Sequence, residues 1–286
     1  MASPVAERAV IDAAPMSAAA PRPSLVARAG RLVAGPRIVA LLSFLTLMLV
    51  WVLVTREGMV SDLFLPGPAL VWEAFADLVQ NGYKSRTLLE HAWLSLSRVL
   101  QGFLFGSVVG TALGLARGYD RRVRAFFTPL VEFFRPLPQL AYLVLLIVWF
   151  GIGETSQVIL LFLTALPVSA IAAMDGVRGT STQRINAARS LGANRWHVFR
   201  YVIFPSALPE IFTGARLAIG VVYGTLIAAE IIAGSTGLGW MILDAGRFLR
   251  SDYVFVGIIL IGTMGLLLDR LLLRAERRLV HWGGRD

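Results

Sequence analysis

Six apolar runs, each long enough to cross a lipid bilayer as a helix, leave this chain few ways to fold. A spanning helix needs roughly 20 mostly apolar residues, and 56% of the residues here are hydrophobic while only 16% are charged. The pattern therefore predicts an all-α, polytopic membrane protein. The third run is interrupted by Pro136 and Pro138, which packed membrane helices tolerate. The predicted spans are 38–54, 90–116, 125–150, 156–174, 209–233 and 253–273.

Arginine is distributed unevenly between the two sides of this predicted bundle. With the N-terminus inside, nineteen of the 27 Lys and Arg residues fall on inside segments and five fall on outside segments. Basic residues accumulate on the cytoplasmic side of membrane proteins, so we expect both termini to be cytoplasmic. The same rule accounts for the formal net charge of +9 without nucleic acid as a partner.

Three regions follow from the composition. Residues 1–36 are rich in Ala and Pro and are predicted to be a disordered cytoplasmic tail. Residues 37–280 form the predicted transmembrane domain, and residues 281–286 a cytoplasmic C-terminal tail. We interpret 38–54 as a retained span because no small-residue cleavage site follows it, with a cleaved signal as the alternative. Within the membrane domain, residues 68–80 have the pattern of a short amphipathic helix.

The residue content argues against several kinds of chemistry. The sequence has no cysteine, and its three histidines do not have the spacing of a metal site. It lacks the G-x-x-x-x-G-K-[ST] motif, so it cannot supply a P-loop for ATP. The predicted spans contain no nucleophile–base pair that would indicate an intramembrane enzyme. We therefore expect a non-catalytic chain that binds neither a metal nor a cofactor of its own.

Span two carries a glycine at every fourth position. Such a stripe lets a neighbouring helix approach closely, so we expect span two to be central to the bundle. Close packing is the simpler interpretation of the stripe, and a substrate path along it is the alternative. The stripe consists of Gly102, Gly106, Gly110, Gly114 and Gly118.

Ionisable side chains inside the predicted spans are candidates for function, because charge is costly in the hydrocarbon layer. Glu230 lies near the outer end of span five, where it could be a structural hydrogen-bonding group, a gate or part of the substrate path. Arg135 lies beside the prolines of span three and either contributes to the path or pairs with Glu132. We expect Arg98 and Arg216 to extend to a membrane interface.

A polar, Arg-rich stretch between spans four and five, "INAARSLGANRWHVFRYVIFPSALP", has the pattern of a helix–turn–helix. The first helix is predicted to end at Gly192, because glycine tolerates positive φ at a helix C-terminus, and Asn194 can cap the second. The apolar side chains of Trp196, Val198 and Phe199 are unusual on a cytoplasmic loop. They indicate a surface on which another protein docks.

This loop resembles the cytoplasmic loop of binding-protein-dependent ABC importer permeases. The family pattern is E-A-A, three residues, Gly, nine residues and I-x-L-P, and it aligns with "NAA", Gly192 and "VIFP". In the family this loop, 176–208 here, carries the coupling helix that docks into the ATPase subunit. Asn186 replaces the usual Glu and can keep a hydrogen bond but not an ion pair. The coupling residues that the resemblance implies are Asn186, Ala187, Ala188, Gly192, Arg195, Trp196, Phe199 and Pro205.

The segments "RPLPQLAYLVLLIVWFGIGETS" and "AAEIIAGSTGLGWMILDAGRFLRSDYVFVGI" are similar to the sulfonate, nitrate and taurine branch of these permeases, and "FGIGETS" resembles its taurine-carrying members most. The resemblance covers roughly residues 60–280. It implies the type I ABC importer permease fold in the bacterial inner membrane, with a small organic anion as cargo. Taurine is the first candidate, and alkanesulfonate or nitrate are the alternatives.

The same resemblance implies a set of partners. These are a second permease copy, a cytoplasmic ATPase dimer that holds ATP and Mg, and a periplasmic substrate-binding protein. An ion-coupled secondary transporter is the rival interpretation from the residues alone. Such a transporter would show an internal repeat of similar halves, and we find none in the sequence.

Overall fold

The computed structural model describes residues 36–56, 59–280 and 282, and its regular structure within them is helical. Apart from Pro36, the predicted N-terminal tail lies outside the described residues, as does all of the C-terminal tail except Trp282. The helices are α1 (Pro36–Arg56), α2 (Pro68–Asn81), α3 (Leu88–Tyr119), α4 (Arg121–Phe134), α5 (Gln139–Phe150), α6 (Glu154–Arg178), α7 (Thr182–Ser190), α8 (Arg195–Val198), α9 (Phe204–Ala233), α10 (Leu238–Arg247) and α11 (Ser251–Leu279).

Five helical stretches in the described residues are long and apolar enough to cross a membrane. They are Ile38–Arg56, Leu88–Tyr119, Glu154–Arg178, Arg195–Ala233 and Ser251–Leu279. Helices α4 and α5 pass the same test together, with a bend of 95° between them, and count as a sixth crossing if they form one span. The prediction of about six spans, with the third broken at its prolines, is confirmed.

The fifth helical stretch begins at Arg195, about fourteen residues before the predicted start near residue 209, so that boundary was wrong. Helix α8, a π-helical turn at Phe199–Ile203 and α9 form one continuous stretch of 39 residues, Arg195–Ala233. Pro205 does not stop this stretch because it lies in the first turn of α9, where a backbone N–H can be missing at little cost. The second helix of the loop is therefore the beginning of the span itself.

The glycine stripe of α3 packs against α6, which confirms close packing as its role. A Cβ placed on Gly106 would lie 2.6 Å from the carbonyl oxygen of Phe162 and 2.7 Å from the Cβ of Ala165. Gly102, Gly110 and Gly114 meet α6 in the same way along its length. Because all four face the backbone of a neighbouring helix, the alternative of a substrate path along the stripe is wrong for this conformation.

Helix α6 lies at the centre of the bundle, with α3 on one side and α9 on the other. The α9 contact also depends on small residues, since a Cβ on Gly176 would lie 2.9 Å from the carbonyl oxygen of Ala207. The chain reverses direction in the turn at Gly151–Gly153, so α5 packs along the first part of α6. Span two packs along the length of this central helix and also contacts α9, so the expectation that it is central to the bundle is confirmed.

The amphipathic helix predicted for residues 68–80 is confirmed as α2. Its buried side chains are Val71, Ala74 and Leu78, and the helix packs against α11. The Tyr253 hydroxyl donates a hydrogen bond to Asp77 across this contact. That hydrogen bond holds the pKa of the Asp77 carboxyl below its usual range.

Candidate functional site

The loop between α6 and α9 has the predicted helix–turn–helix form. Helix α7 ends at Ser190, and Gly192 has a φ of 84° in the turn that follows. The Asn194 side chain accepts a hydrogen bond from the backbone N–H of His197 at 2.8 Å and caps α8. The local stop and start signals of this loop therefore lie where the residues predict them.

One face of the loop is exposed. Helix α7 has no buried residue, and both Asn186 and Ala187 lie on its surface. The Leu191 side chain is 89% exposed and Trp196 is 65% exposed. Leu191 was not recognised from the sequence, although an apolar residue directly before Gly192 in a polar loop is a usable signal. These side chains give the loop an apolar surface that the described part of the chain leaves uncovered.

The other face anchors the loop to the bundle. Val198 is only 2% exposed and packs in a cluster with Val177, Ile203 and Ala207, so its assignment to a docking surface was wrong. Phe199 is half-buried against the same cluster, and its ring lies 5.3 Å from that of Tyr119 at the end of α3. The spacing of apolar residues along the loop could not separate an inward face from an outward one.

The remaining predicted coupling residues surround this anchor. Ala188 is half-buried against the Val198 cluster, whereas the Arg195 side chain is exposed. The carbonyl of Arg195 accepts a hydrogen bond from the Tyr119 hydroxyl at 3.1 Å. Pro205 lines a cavity of about 770 Å³ beneath the loop, and Arg184 lies on the wall of the same cavity. The structure therefore brings the predicted loop residues together at one end of α6 and α9.

Glu230, the other candidate, lies in a buried polar network at the opposite end of α9. Its side chain is fully buried, and the Arg98 guanidinium donates to its Oε1 at 2.7 Å. The Ser95 hydroxyl lies 2.7 Å and 3.0 Å from the two carboxylate oxygens, and the N–H of Gly239 donates to Oε2 at 2.8 Å. Every oxygen of the carboxylate therefore has a donor from within the chain.

Arg98 completes this network, and the expectation that it extends to a membrane interface was wrong. Its side chain is 3% exposed and also donates to the carbonyl of Thr236 at 3.0 Å and to the Thr236 hydroxyl at 2.8 Å. A longer contact, 3.3 Å, reaches Glu154 at the start of α6. A buried charge is tolerated when it is paired and hydrogen-bonded in this way.

The turn between α9 and α10 is fixed by the same network, which we call the Arg98–Glu230 network. The N–H of Leu238 donates to Ser95 at 2.8 Å, and the N–H of Gly237 donates to His91 Nδ1 at 3.1 Å. Gly237 has a φ of 108°, and a Cβ there would overlap the Glu230 carboxylate. The network thus ties this turn to α3, and in this conformation Glu230 presents no surface to a substrate.

Arg216 is half-exposed and pairs with Asp269 of α11 at 2.9 Å. The sequence missed this partner, because the two residues are 53 positions apart. The charge of Arg216 on one spanning helix is thus neutralised by a counter-ion from another.

Arg135 lies at the break between α4 and α5, on the wall of a cavity of about 330 Å³. The cavity, called here the Arg135 cavity, also has Asp175 of α6 and Glu210 of α9 on its wall. Glu132 does not pair with Arg135 within the described residues and instead lines a separate cavity of about 450 Å³. Sequence reasoning missed Glu210, although it falls inside a predicted span and the rule that singled out Arg135 applies to it equally.

No group of three or more His, Cys, Asp or Glu side chains that could hold a metal ion occurs among the residues that the structure describes. The polar groups that lie close together in the bundle are bonded to one another, as in the Arg98–Glu230 network, or face a cavity, as at Arg135.

Comparison with known proteins identifies the family. The family described as "Binding-protein-dependent transport system inner membrane component" matches residues 102–281. The chain is 42% identical over 239 residues to the taurine transport system permease protein TauC of Escherichia coli, covering 83% of this chain and 87% of that protein. It is 34% identical over 234 residues to the putative aliphatic sulfonates transport permease protein SsuC of Bacillus subtilis, covering 82% and 83%.

A more distant relative and a solved structure extend this result. The bicarbonate transport system permease protein CmpB of Synechococcus elongatus is 32% identical over 245 residues, covering 83% of this chain and 87% of that protein. An inward-facing crystal form of the MetNI methionine ABC transporter superposes with a TM-score of 0.60 at 22% identity, covering 67% of this chain and 95% of that one. The chain belongs to the binding-protein-dependent transport system inner membrane component family and is an ABC importer permease subunit with the type I fold.

Proposed function

We propose that this chain is the membrane permease of an ATP-driven taurine importer in the bacterial inner membrane. The observation that carries the proposal is its 42% identity to TauC, compared with 34% and 35% to two permeases named for aliphatic sulfonates. Alkanesulfonate is the second candidate cargo because those relatives align over a similar share of the chain. An inorganic anion such as nitrate is a weaker alternative, and the bicarbonate relative is more distant still.

In this proposal the chain is not an enzyme. ATP and Mg are held by a separate cytoplasmic ATPase dimer, and a periplasmic binding protein delivers taurine to the outer side. Two copies of the permease enclose the path around a two-fold axis. Both termini and the loop at 176–208 face the cytoplasm, which agrees with the Arg-rich composition of those segments.

The loop surface formed by Leu191 and Trp196 is the proposed ATPase dock. Two large apolar side chains that are 89% and 65% exposed are costly in water and gain most from burial in a groove of a partner. Asn186 is exposed on α7 and supplies a neutral hydrogen-bonding group where an ion pair would otherwise be expected. The inward-facing residues Val198 and Phe199 then pass the movement of the dock to the bundle, because they pack directly on α6 and α9 residues.

Coupling in this proposal is thermodynamic. ATP binding and hydrolysis shift the bundle between inward- and outward-facing conformations only to the extent that each nucleotide state binds one conformation better than the other. The dock must therefore move with the ATPase, and the helices attached to it must move with the dock.

Uptake of labelled taurine by a strain that lacks its own taurine permease, complemented with this chain and its cognate ATPase and binding protein, tests the proposal. We expect saturable uptake that unlabelled taurine abolishes and that ethanesulfonate, which has no amine, competes with only weakly. Uptake of ethanesulfonate or nitrate in preference to taurine would reassign the cargo. Uptake that persists when the ATPase subunit carries a disabled nucleotide site would refute ATP coupling.

A further inference from the structure

Three charged side chains lie on the wall of the Arg135 cavity without an ion pair in the described part of the chain. Arg135, Asp175 and Glu210 form no ion pair and no side-chain hydrogen bond within the part of the chain that the structure describes. They come from three different elements, the α4–α5 break, the end of α6 and the start of α9. The fold thus brings two carboxylates and one guanidinium to a single cavity and leaves all three available.

Two pairs of charged side chains on the spanning helices are compensated within the chain. Arg98 and Glu230 neutralise each other in full burial, and Arg216 and Asp269 pair at 2.9 Å. An ionisable group on a membrane helix is expensive unless a counter-ion, water or a ligand compensates it. Arg135, Asp175 and Glu210 are exposed to the cavity without such a counter-ion, so water or a solute in the cavity must compensate their charges.

The charges in the cavity define the kind of solute that fits. One guanidinium can hold a sulfonate or carboxylate through two parallel hydrogen bonds, while a carboxylate can accept from an ammonium group. With two carboxylates and one guanidinium the formal charge is −1, so a simple anion would be repelled more strongly than it is attracted. A solute that carries both an anionic and an ammonium group satisfies both kinds of side chain.

The shape of the cavity agrees with a small solute that moves along α6. Its wall follows α6 from Thr164 to Asp175, a rise of about 16 Å for eleven residues of helix. The volume of about 330 Å³ is at the low end of the range for small-molecule sites. Glu210 also lines the larger cavity of about 770 Å³ beneath the loop, so the two cavities meet at this residue.

We propose that the Arg135 cavity is a transient binding site for a zwitterionic amino-sulfonate, in which Arg135 holds the sulfonate and Asp175 and Glu210 hold the ammonium group. This inference rests on the proposed function and goes further, because it places selection for the amine in the permease itself. It also assigns a role to Asp175 and Glu210. Of the two residues first considered for the substrate path, it keeps Arg135 and leaves out Glu230, whose carboxylate is paired with Arg98.

Equilibrium binding to the purified permease–ATPase complex in nanodiscs, without binding protein, tests the site. The probes are labelled taurine and labelled ethanesulfonate, its analogue without the amine, at millimolar concentrations. Asp175→Asn and Glu210→Gln should each weaken taurine binding about tenfold, the loss expected of one charge-assisted contact, and should leave ethanesulfonate binding unchanged or stronger. Arg135→Gln should weaken the binding of both.

Glu132→Gln is the matched control, because Glu132 is a carboxylate on α4 next to the same break but lines a different cavity. We expect it to bind both probes as the unaltered complex does. Equal loss in Glu132→Gln and the carboxylate variants, equal loss of both probes in Asp175→Asn, or no detectable taurine binding to the unaltered complex would each overturn the site. Co-elution of the permease with its ATPase as one peak in size-exclusion chromatography shows that the variants assemble.

The two proposals fail in different ways. If the unaltered chain supports taurine uptake in cells but the three cavity variants bind taurine normally, only the cavity assignment is refuted. If the unaltered chain supports no taurine uptake, the proposed cargo is refuted, and the cavity assignment with it.

Discussion

Glu230→Gln removes a negative charge from a buried position that has hydrogen-bond donors on every side. The carboxylate accepts from the Ser95 hydroxyl, the Arg98 guanidinium and the N–H of Gly239. A Gln side chain has a single acceptor oxygen and an NH₂ group, so it must direct one donor towards another. At the same time Arg98, with 3% of its side chain exposed, loses its buried counter-ion.

The size of the effect follows from this burial. Removing one partner of a buried ion pair costs about 3–5 kcal/mol, and a domain of this size loses about 2–4 °C of Tm per kcal/mol, so we expect a Tm lower by about 6–20 °C. Arg98→Met alone should lower Tm by a similar amount, because it leaves the Glu230 carboxylate buried and without a charged partner. The double variant removes both charges. Its loss in free energy of unfolding should be smaller than the sum of the two single losses by at least about 2 kcal/mol.

Thermal denaturation of the detergent-purified protein, followed by fluorescence-detected size-exclusion chromatography, measures these differences. Asp252→Asn is the matched control, because its ion pair with Arg250 at 2.8 Å lies at the start of α11, where both side chains are more exposed than those of Arg98 and Glu230. Exposed pairs contribute about 0–1 kcal/mol, so the control should change Tm by no more than about 4 °C. A Glu230→Gln protein that is as stable as this control, or a double variant whose losses simply add, would refute the account of the network as a coupled buried pair.

Three further predictions concern other parts of the molecule. Gly106→Leu should abolish the monodisperse protein peak in size-exclusion chromatography, because even a Cβ would lie 2.6 Å from α6, whereas Gly262→Leu, with open space around it, should not. Trp196→Ala should weaken co-purification of the cognate ATPase by about thirtyfold or more while the permease stays folded, as expected of an aromatic residue central to an interface. Burial raises the pKa of Asp244, but hydrogen bonds from Lys84 and Tyr83 outweigh this effect and leave the pKa below its usual range. Stability from Asp244 is therefore present above pH about 4 and is lost as pH falls further, and a Tm measured between pH 3 and pH 7 should fall less steeply in Asp244→Asn.

The features that the sequence predicted well depend on residues close together in the chain. The glycine stripe has one residue per helical turn, so Gly106 and its neighbours had to face one side of α3. The sharp bend follows from Pro136 and Pro138, and the cap of α8 follows from Asn194, three residues before its donor. Each signal acts within a turn or two of helix, where backbone geometry alone decides the outcome.

The features that the sequence did not predict depend on residues far apart. Arg98 and Glu230 are 132 positions apart, and no local pattern on either helix indicates that they meet. Val198 turns inward only because Val177 and Ala207 are there to receive it. Asp175 escaped notice because it lies just beyond the predicted fourth span, whereas Glu210 falls inside the predicted fifth span and could have been singled out.

The unbroken helical stretch Arg195–Ala233 acts as a lever between the two ends of the molecule. From Arg195 to Glu230 it measures about 50 Å, and a rotation of about 5° about one end would displace the other by about 4 Å. Because the exposed loop and the turn above Glu230 lie at the two ends of one continuous helix, a change in orientation at one end can be carried to the other. The Arg98–Glu230 network holds this turn to α3 and opposes such a movement. Its strength therefore sets how much free energy a displacement of Trp196 must supply.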